Sequence, residues 1–154
     1  MILRLMYVRF IGVFMTGYWL CVTNERNWNV VKRKKVWGVP ARNERLIKKV
    51  KKGDFLVFYV SPKRIGGIFR VVSEPFFDDS VLFSSEGFFE DERFPHRVKI
   101  EPVIVPKTFV KFDPLIPRLN FIVNKERWTG YLRRAMLNIP ERDYKTIYDA
   151  VQQA

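Results

Sequence analysis

The sequence predicts a small barrel-like sheet of mixed α+β type within one basic domain. Three observations carry this. Runs of β-favouring residues recur at 19–22, 55–60, 65–72 and 98–105. Between several of them stand short stretches in which apolar residues repeat at helical spacing. The 154 residues carry 28 Lys and Arg against 16 Asp and Glu, a net charge of +12. That length suits one domain with a real core rather than two. A surplus of positive charge favours a polyanionic partner, most often nucleic acid.

Taken in order, the first fourteen residues, MILRLMYVRFIGVF, differ in character from the rest of the chain. Arg4 and Arg9 interrupt them, and they are too short to span a bilayer. No small-residue cleavage site comes after them, so neither a membrane span nor a signal peptide is expected. Residues 1–15 read as a leader with a mis-assigned start, and 16–154 as the domain. The rival reading is an extra strand from Tyr7 to Phe14.

The stretch YWLCVTNERNWNVVKRKKVWGVP, residues 18–40, organises the rest. A strand through Trp19, Leu20, Cys21 and Val22 runs into Thr23 and Asn24, both common helix caps. Trp28, Val30 and Val31 give the next segment a helical face. The chain then turns through Val36, Trp37, Gly38, Val39 and Pro40. Tryptophans at 28 and 37, side-chain amides and a Gly-Val-Pro turn in one strand–helix–turn unit suit a flat ligand with polar edges, such as a nucleobase. A tryptophan in a small β-rich domain is more often core, so this reading rests on the cluster.

From Lys32 to Lys52 there are ten basic residues against one acid, Glu44. Leu46, Ile47 and Val50 share a helical face there, with Asn43 as a cap. Charge runs usually line a solvated face. This one flanks both tryptophans, which makes Lys32, Arg33, Lys34, Lys35, Arg42 and Lys48 the expected phosphate-binding residues.

Residues 55–60 read as a buried strand, 61–64 as a turn and 65–72 as the returning strand of a hairpin. Gly66-Gly67 marks a bulge or a close backbone approach. Between Glu74 and Glu92 lie seven acids and no Lys or Arg, interleaved with five phenylalanines. An acid cluster can hold Mg²⁺ for a nuclease, but a loop anchored by phenylalanines explains it more simply. Val98 to Val105 is a strand whose Pro102 implies an edge or a bulge. Residues 109–119 are proline-punctuated and irregular, Phe121 to Val123 is a short strand, and the basic pair Arg133-Arg134 comes next. The last helix starts at Pro140, with Glu141 and Asp143 at its positive end. Tyr144, Ile147, Tyr148 and Val151 form its apolar stripe. One Cys and one His leave zinc short of ligands and give no disulfide. No metal, cofactor or Cys–His catalytic pair is expected, and the compartment is expected to be reducing and cytoplasmic.

The ordered blocks YWLCVTNERNW, VWGVP, KKGDFLVFYVS, IGGIFRVVSEPF, FPHRVKIEPV and FIVNKERW resemble the EVE domain family, a PUA-like group with the YTH domains as relatives. The resemblance spans nearly the whole chain after the leader. It implies a PUA-like mixed β-barrel with short helices packed around it, and a pocket for a modified base. In YTH relatives a tryptophan after the first helix forms part of an aromatic cage around a methylated adenine, and Trp37 matches it. Thr23 and Asn24 match positions that read the base edge. Tyr59 and Ser61 match the pocket lining, and Gly66 the strand start opposite. With Trp28, Gly38, Val39, Pro40 and Arg97, these complete the expected base-binding pocket. A second cage tryptophan of the YTH type has no counterpart, since Val60 or Ser61 stands near that place, which leaves a modified cytosine as open as methyladenine. The expected function is a non-catalytic, monomeric reader of a modified base in DNA or RNA. The alternative is a metal-dependent nuclease or base-modifying hydrolase that uses the acids of Asp78–Glu92.

Overall fold

The computed structural model describes residues 15–86 and 92–154. The expectations for the leader, and for Phe88, Phe89, Glu90 and Asp91, lie outside the described residues. Eight strands form one mixed sheet: β1 (Tyr18–Thr23), β2 (Val36–Val39), β3 (Phe55–Val60), β4 (Arg64–Val71), β5 (Phe76–Phe77), β6 (His96–Ile104), β7 (Val110–Lys111) and β8 (Met136–Asn138). Their order is β2-β6-β4-β3-β1-β8, with β5 paired to β6 and β7 to β4. β1 and β3 are parallel, and the other pairs are antiparallel. The sheet curls into a half-barrel whose end strands, β2 and β8, do not pair with each other. Helices α1 (Glu25–Lys34), α2 (Glu44–Ile47) and α3 (Glu141–Gln152) pack around it, together with 3-10 turns at Ala41–Asn43, Asp113–Arg118 and Trp128–Leu132.

Strand alternation sorts the apolar residues into two cores. Trp19 and Cys21 of β1 and Leu56, Phe58 and Val60 of β3 join the first, with Trp28, Trp37, Phe69, Phe83 and Phe94. Leu20, Val57 and Tyr59 point to the second, which α3 closes with Tyr144, Ile147 and Val151. The double glycine does what its position predicts. Register shifts between Phe58 and Tyr59, so that Phe58 faces Gly67 while Tyr59 faces Ile65. Gly66 is the extra residue of this bulge. The insertion lets Ile65 and Ile68 share one core, which strict alternation forbids. A Cβ at Gly66 would lie 2.6 Å from Trp28 Cε2, so the indole packs directly against bare backbone.

Four local expectations change. Val36–Val39, expected to turn, is a strand, because it pairs antiparallel with β6. Phe121–Val123 is not a strand, because the Asn120 and Phe121 N–H groups each donate at 2.8 Å to the buried Asp143 carboxylate of α3. Asn43 makes no capping hydrogen bond, because a 3-10 turn ends there and α2 continues from it. Asp54 is more than a turn residue. It is buried and accepts from Gly17 N–H, Lys51 N–H and the Trp19 indole at 2.8, 2.9 and 3.1 Å. The strand with Pro102 is an irregular one, since register slips opposite it between Ile68 and Phe69.

Candidate functional site

Where the half-barrel fails to close lies a cavity of about 260 Å³, walled from both open edges. β2 contributes Trp37 and Gly38. The end of β1 contributes Val22 and Thr23, and the start of α1 contributes Asn24 and Asn27. The segment leading into β8 adds Leu132, Arg133, Arg134 and Ala135. The cavity mouth thus gathers elements from both ends of the chain.

Each wall has a local cause. Asn24 caps α1: its Oδ1 accepts from Asn27 N–H at 2.8 Å. That bond commits the oxygen and leaves the Nδ2 donors as the part of the amide available to a ligand. Thr23 carbonyl oxygen accepts from Ser61 N–H at 2.9 Å and from Ser61 Oγ at 3.2 Å, which places Ser61 on the cavity. Trp37 is only 4% exposed and meets Phe58 edge-on. Among the described residues its Nε1 is a buried donor with no hydrogen-bond partner. An unpaired buried donor costs about 1–3 kcal/mol.

The loop opposite is held by buried polar side chains. Asn27 is bidentate with Ser84: its Nδ2 donates to the carbonyl at 3.0 Å and its Oδ1 accepts from the N–H at 2.7 Å. Arg97 is wholly buried. Its Nε donates to Phe94 O at 3.0 Å, and its terminal nitrogens donate to Ser80 Oγ, Ser80 O and Arg93 O at 3.1, 2.6 and 3.1 Å. Burial pushes its guanidinium below the ordinary value, and Asp78, 3.4 Å away, works against that shift. The Ser80 N–H in turn holds the Asp78 carboxyl below its usual range. These contacts bring Phe83 and Phe94 to the cavity. Gly38 is needed there, because a Cβ would lie 2.6 Å from Phe94 O.

The structure therefore brings Thr23, Asn24, Trp37, Gly38, Pro40 and Ser61 together, and adds Arg42 to them. It places the other expected pocket residues elsewhere. Trp28 and Val39 are buried in the first core, and Gly66 serves as the seat of Trp28. Tyr59 faces the second core, where its hydroxyl accepts from Lys63 N–H at 2.8 Å and burial raises its pKa. Arg97 anchors the loop and offers no free edge. Of the expected phosphate-binding residues only Arg42 lines the cavity, and Glu92 pairs with it at 3.0 Å. Lys32 lies over the Trp28 ring and Lys48 pairs with Glu44. Lys32, Arg33 and Lys34 form the last turn of α1 and Lys35 its C-cap, about 15 Å along the axis from Asn24 at 1.5 Å per residue.

The sequence reading missed Asn27, Phe83, Phe94, Leu132, Arg133, Arg134 and Ala135 as cavity residues. The phenylalanines carried a signal, since apolar rings in an acidic loop need somewhere to pack. Among the described residues three acids of that loop pair separately: Asp78 faces Arg97, Glu86 binds Arg26 at 2.8 Å and Glu92 binds Arg42. Among the described residues no group of three His, Cys, Asp or Glu is placed to hold a metal ion, and no helix is long and apolar enough to cross a membrane.

Similarity to known proteins matches this architecture. The EVE domain profile matches residues 17–150. A UPF0310 protein of Pyrococcus abyssi is 51% identical, over 85% of this chain and 96% of its own. The YTH domain of Zygosaccharomyces rouxii MRB1 protein, solved in complex with N6-methyladenosine RNA, superposes with a TM-score of 0.63 at 17% identity, covering 90% of this chain and 88% of that one. The Pho92 YTH domain in complex with m6A superposes with a TM-score of 0.65 at 15% identity, covering 89% and 86%. At such identities these two likenesses establish the shared fold.

Proposed function

This chain belongs to the EVE domain family, and from that premise we propose that it is a non-catalytic nucleic-acid-binding domain that takes one modified base of DNA or RNA into the cavity beside Trp37. One observation carries the reading. The cavity has an indole on one wall and the polar groups of Thr23, Asn24 and Ser61 on another, with arginines at its rim. A nucleobase presents the matching surfaces: a face that stacks, edges that hydrogen-bond and a phosphate close by. The structural neighbours solved with N6-methyladenosine RNA and with m6A support the same reading. The separate pairing of Asp78, Glu86 and Glu92 supports a binding rather than a catalytic reading. The protein is proposed to act as a cytoplasmic monomer.

The test is binding of single-stranded RNA and DNA oligonucleotides that are unmodified, or carry N6-methyladenine or 5-methylcytosine, to the parent and two variants. Trp37→Phe keeps a smaller ring. It should weaken binding about 5-fold or more, at the lower end of the 1–3 kcal/mol measured for base stacking. Asn24→Asp keeps the capping oxygen and removes the Nδ2 donors, so it should erase discrimination between modified and unmodified bases while the melting temperature holds. Variants that fold and bind every oligonucleotide as the parent does would overturn the assignment.

A further inference from the structure

Among the described cavity-lining residues there is no Asp or Glu, and there are three arginines. Arg42 is engaged by Glu92. Glu25, the acid next to the cap, is turned away to Arg64 at 2.8 Å. Arg133 and Arg134 are exposed, and neither forms an ion pair or hydrogen bond among the described residues. Two uncompensated positive charges thus remain at the rim.

Their mount is rigid. Just upstream, Leu132 is buried in the second core. Just downstream, Ala135 packs on the first core and its carbonyl accepts from Val22 N–H at 2.9 Å. From Met136 onward the chain is in register with β1, Met136 opposite Cys21. Two adjacent arginines therefore span a short bridge between anchored residues, beside Thr23. Guanidinium groups offer paired N–H donors that match the oxygens of a phosphate. A fixed backbone also reduces the ordering cost of engaging one.

We propose that Arg133 and Arg134 form a phosphate-binding clamp at the cavity mouth. The ligand is then a nucleotide held by its phosphate as well as its base, and the base-reading cavity takes its charge from this pair rather than from the end of α1. The inference rests on the proposed function, and the experiment separates the two. Amide resonances of the ¹⁵N-labelled protein are followed during titration with inorganic phosphate. Affinity for a short single-stranded oligonucleotide is measured across a salt series. The same is done for Arg133→Gln/Arg134→Gln, whose exposed side chains leave folding intact by melting, and for a variant with Gln at 32, 33, 34 and 35.

Phosphate should shift resonances around Thr23 and Arg133–Ala135 in the parent and not in the double variant. The double variant should flatten the slope of log K against log salt by about 1.4, or 0.7 for each single-strand phosphate no longer engaged. Phosphate shifts that persist in the double variant, or that fall at the end of α1, would overturn the clamp. So would an unchanged salt slope. A parent that binds phosphate here but no oligonucleotide keeps the clamp and loses the base-reading function. A parent that discriminates modified bases while the double variant keeps its salt slope does the reverse. No binding in either arm overturns both.

Discussion

On the sheet face covered by α3, rings and polar atoms find partners. Tyr144 packs on Tyr18 and Phe55 at 4.6 and 5.3 Å between centroids. Tyr59 meets Phe112 edge-on, and Asp143 satisfies two backbone N–H groups. On the other face Trp28 is as well packed, between Phe58, Phe69 and the bare backbone of Gly66. Further along the chain, Trp37 borders a cavity and its indole N–H has no hydrogen-bond partner among the described residues. The two faces share strands and residue types. They differ in what completes them: α3 packs on one, while the other, packed by α1 and α2, is finished at its edge by a loop and two edge strands that do not meet. A mainly apolar cavity with a few polar groups at that junction is a binding-site geometry. The closed face has the order of a structural core.

The largest expected effect tests whether the open face is core at all away from the cavity. Trp28→Ala should cost about 3–5 kcal/mol, as large-to-small core changes do, read by urea unfolding. A loss below about 1 kcal/mol would mean that the open face is loosely packed throughout. Next in size is Gly66→Ala, which drives a methyl group against the same indole at a bulge. Overpacking of that kind costs about 1–3 kcal/mol. Parent-like stability would show that the Trp28 ring moves freely, and the contrast between the two tryptophans would vanish.

How much of this was legible in the chain depends on whether the cause was local. β1, α1 and its Asn24 cap could be read because cap and helical face are neighbours in sequence, whereas Val36–Val39 reads as a turn and becomes a strand only through its distant partner β6. The Gly66-Gly67 bulge was legible because two glycines inside a strand have few other uses. Its consequence was not: the extra residue lets Ile65 and Ile68 share the second core, while Tyr59 reaches that core by the plain alternation of β3. Arg97 looked like a ligand-reading cation because the sequence does not show that the carbonyls of Ser80, Arg93 and Phe94 already occupy it. Arg133 and Arg134 were visible as a basic pair, but only the pairing of β8 with β1 brings them to Thr23. The charge run at 32–35 drew attention away from them, although the length of α1 holds it apart from the cavity.

A smaller effect belongs to the closed face and depends on pH. Burial, with help from Tyr148 and Tyr18, raises the Tyr144 hydroxyl to about 12, against an ordinary value near 10. The folded pKa lies above the unfolded one. The contribution is therefore complete below about pH 10 and is lost as pH rises from there toward 12. Tyr144 is 8% exposed, so screening is slight and the loss should be about 2 kcal/mol. Tyr144→Phe should remove this alkaline limb from a plot of stability against pH. A limb that survives in the variant would assign it to another group.

The smallest expected effect discriminates most sharply between the faces. Trp19 and Trp37 are both 4% exposed and both belong to the first core. The Trp19 indole donates to the Asp54 carboxylate at 3.1 Å, while the Trp37 indole has no partner among the described residues. Changing either to Phe removes some buried area, worth about 1–2 kcal/mol. For Trp19→Phe a bond to a charged acceptor disappears as well, adding about 1.5–3 kcal/mol. For Trp37→Phe the variant instead sheds an unsatisfied donor whose burial costs about 1–3 kcal/mol. The two terms then nearly cancel, and the stability of the ligand-free protein should stay within about 1 kcal/mol of the parent. Urea unfolding of both variants reads the difference directly. Equal losses would mean that the Trp37 N–H is already satisfied in the free protein, for example by a bound water. The cavity would then hold no unmet donor for a ligand to satisfy. A near-zero change for Trp37→Phe beside a clear loss for Trp19→Phe would assign the unmet hydrogen bond to the tryptophan that borders the cavity.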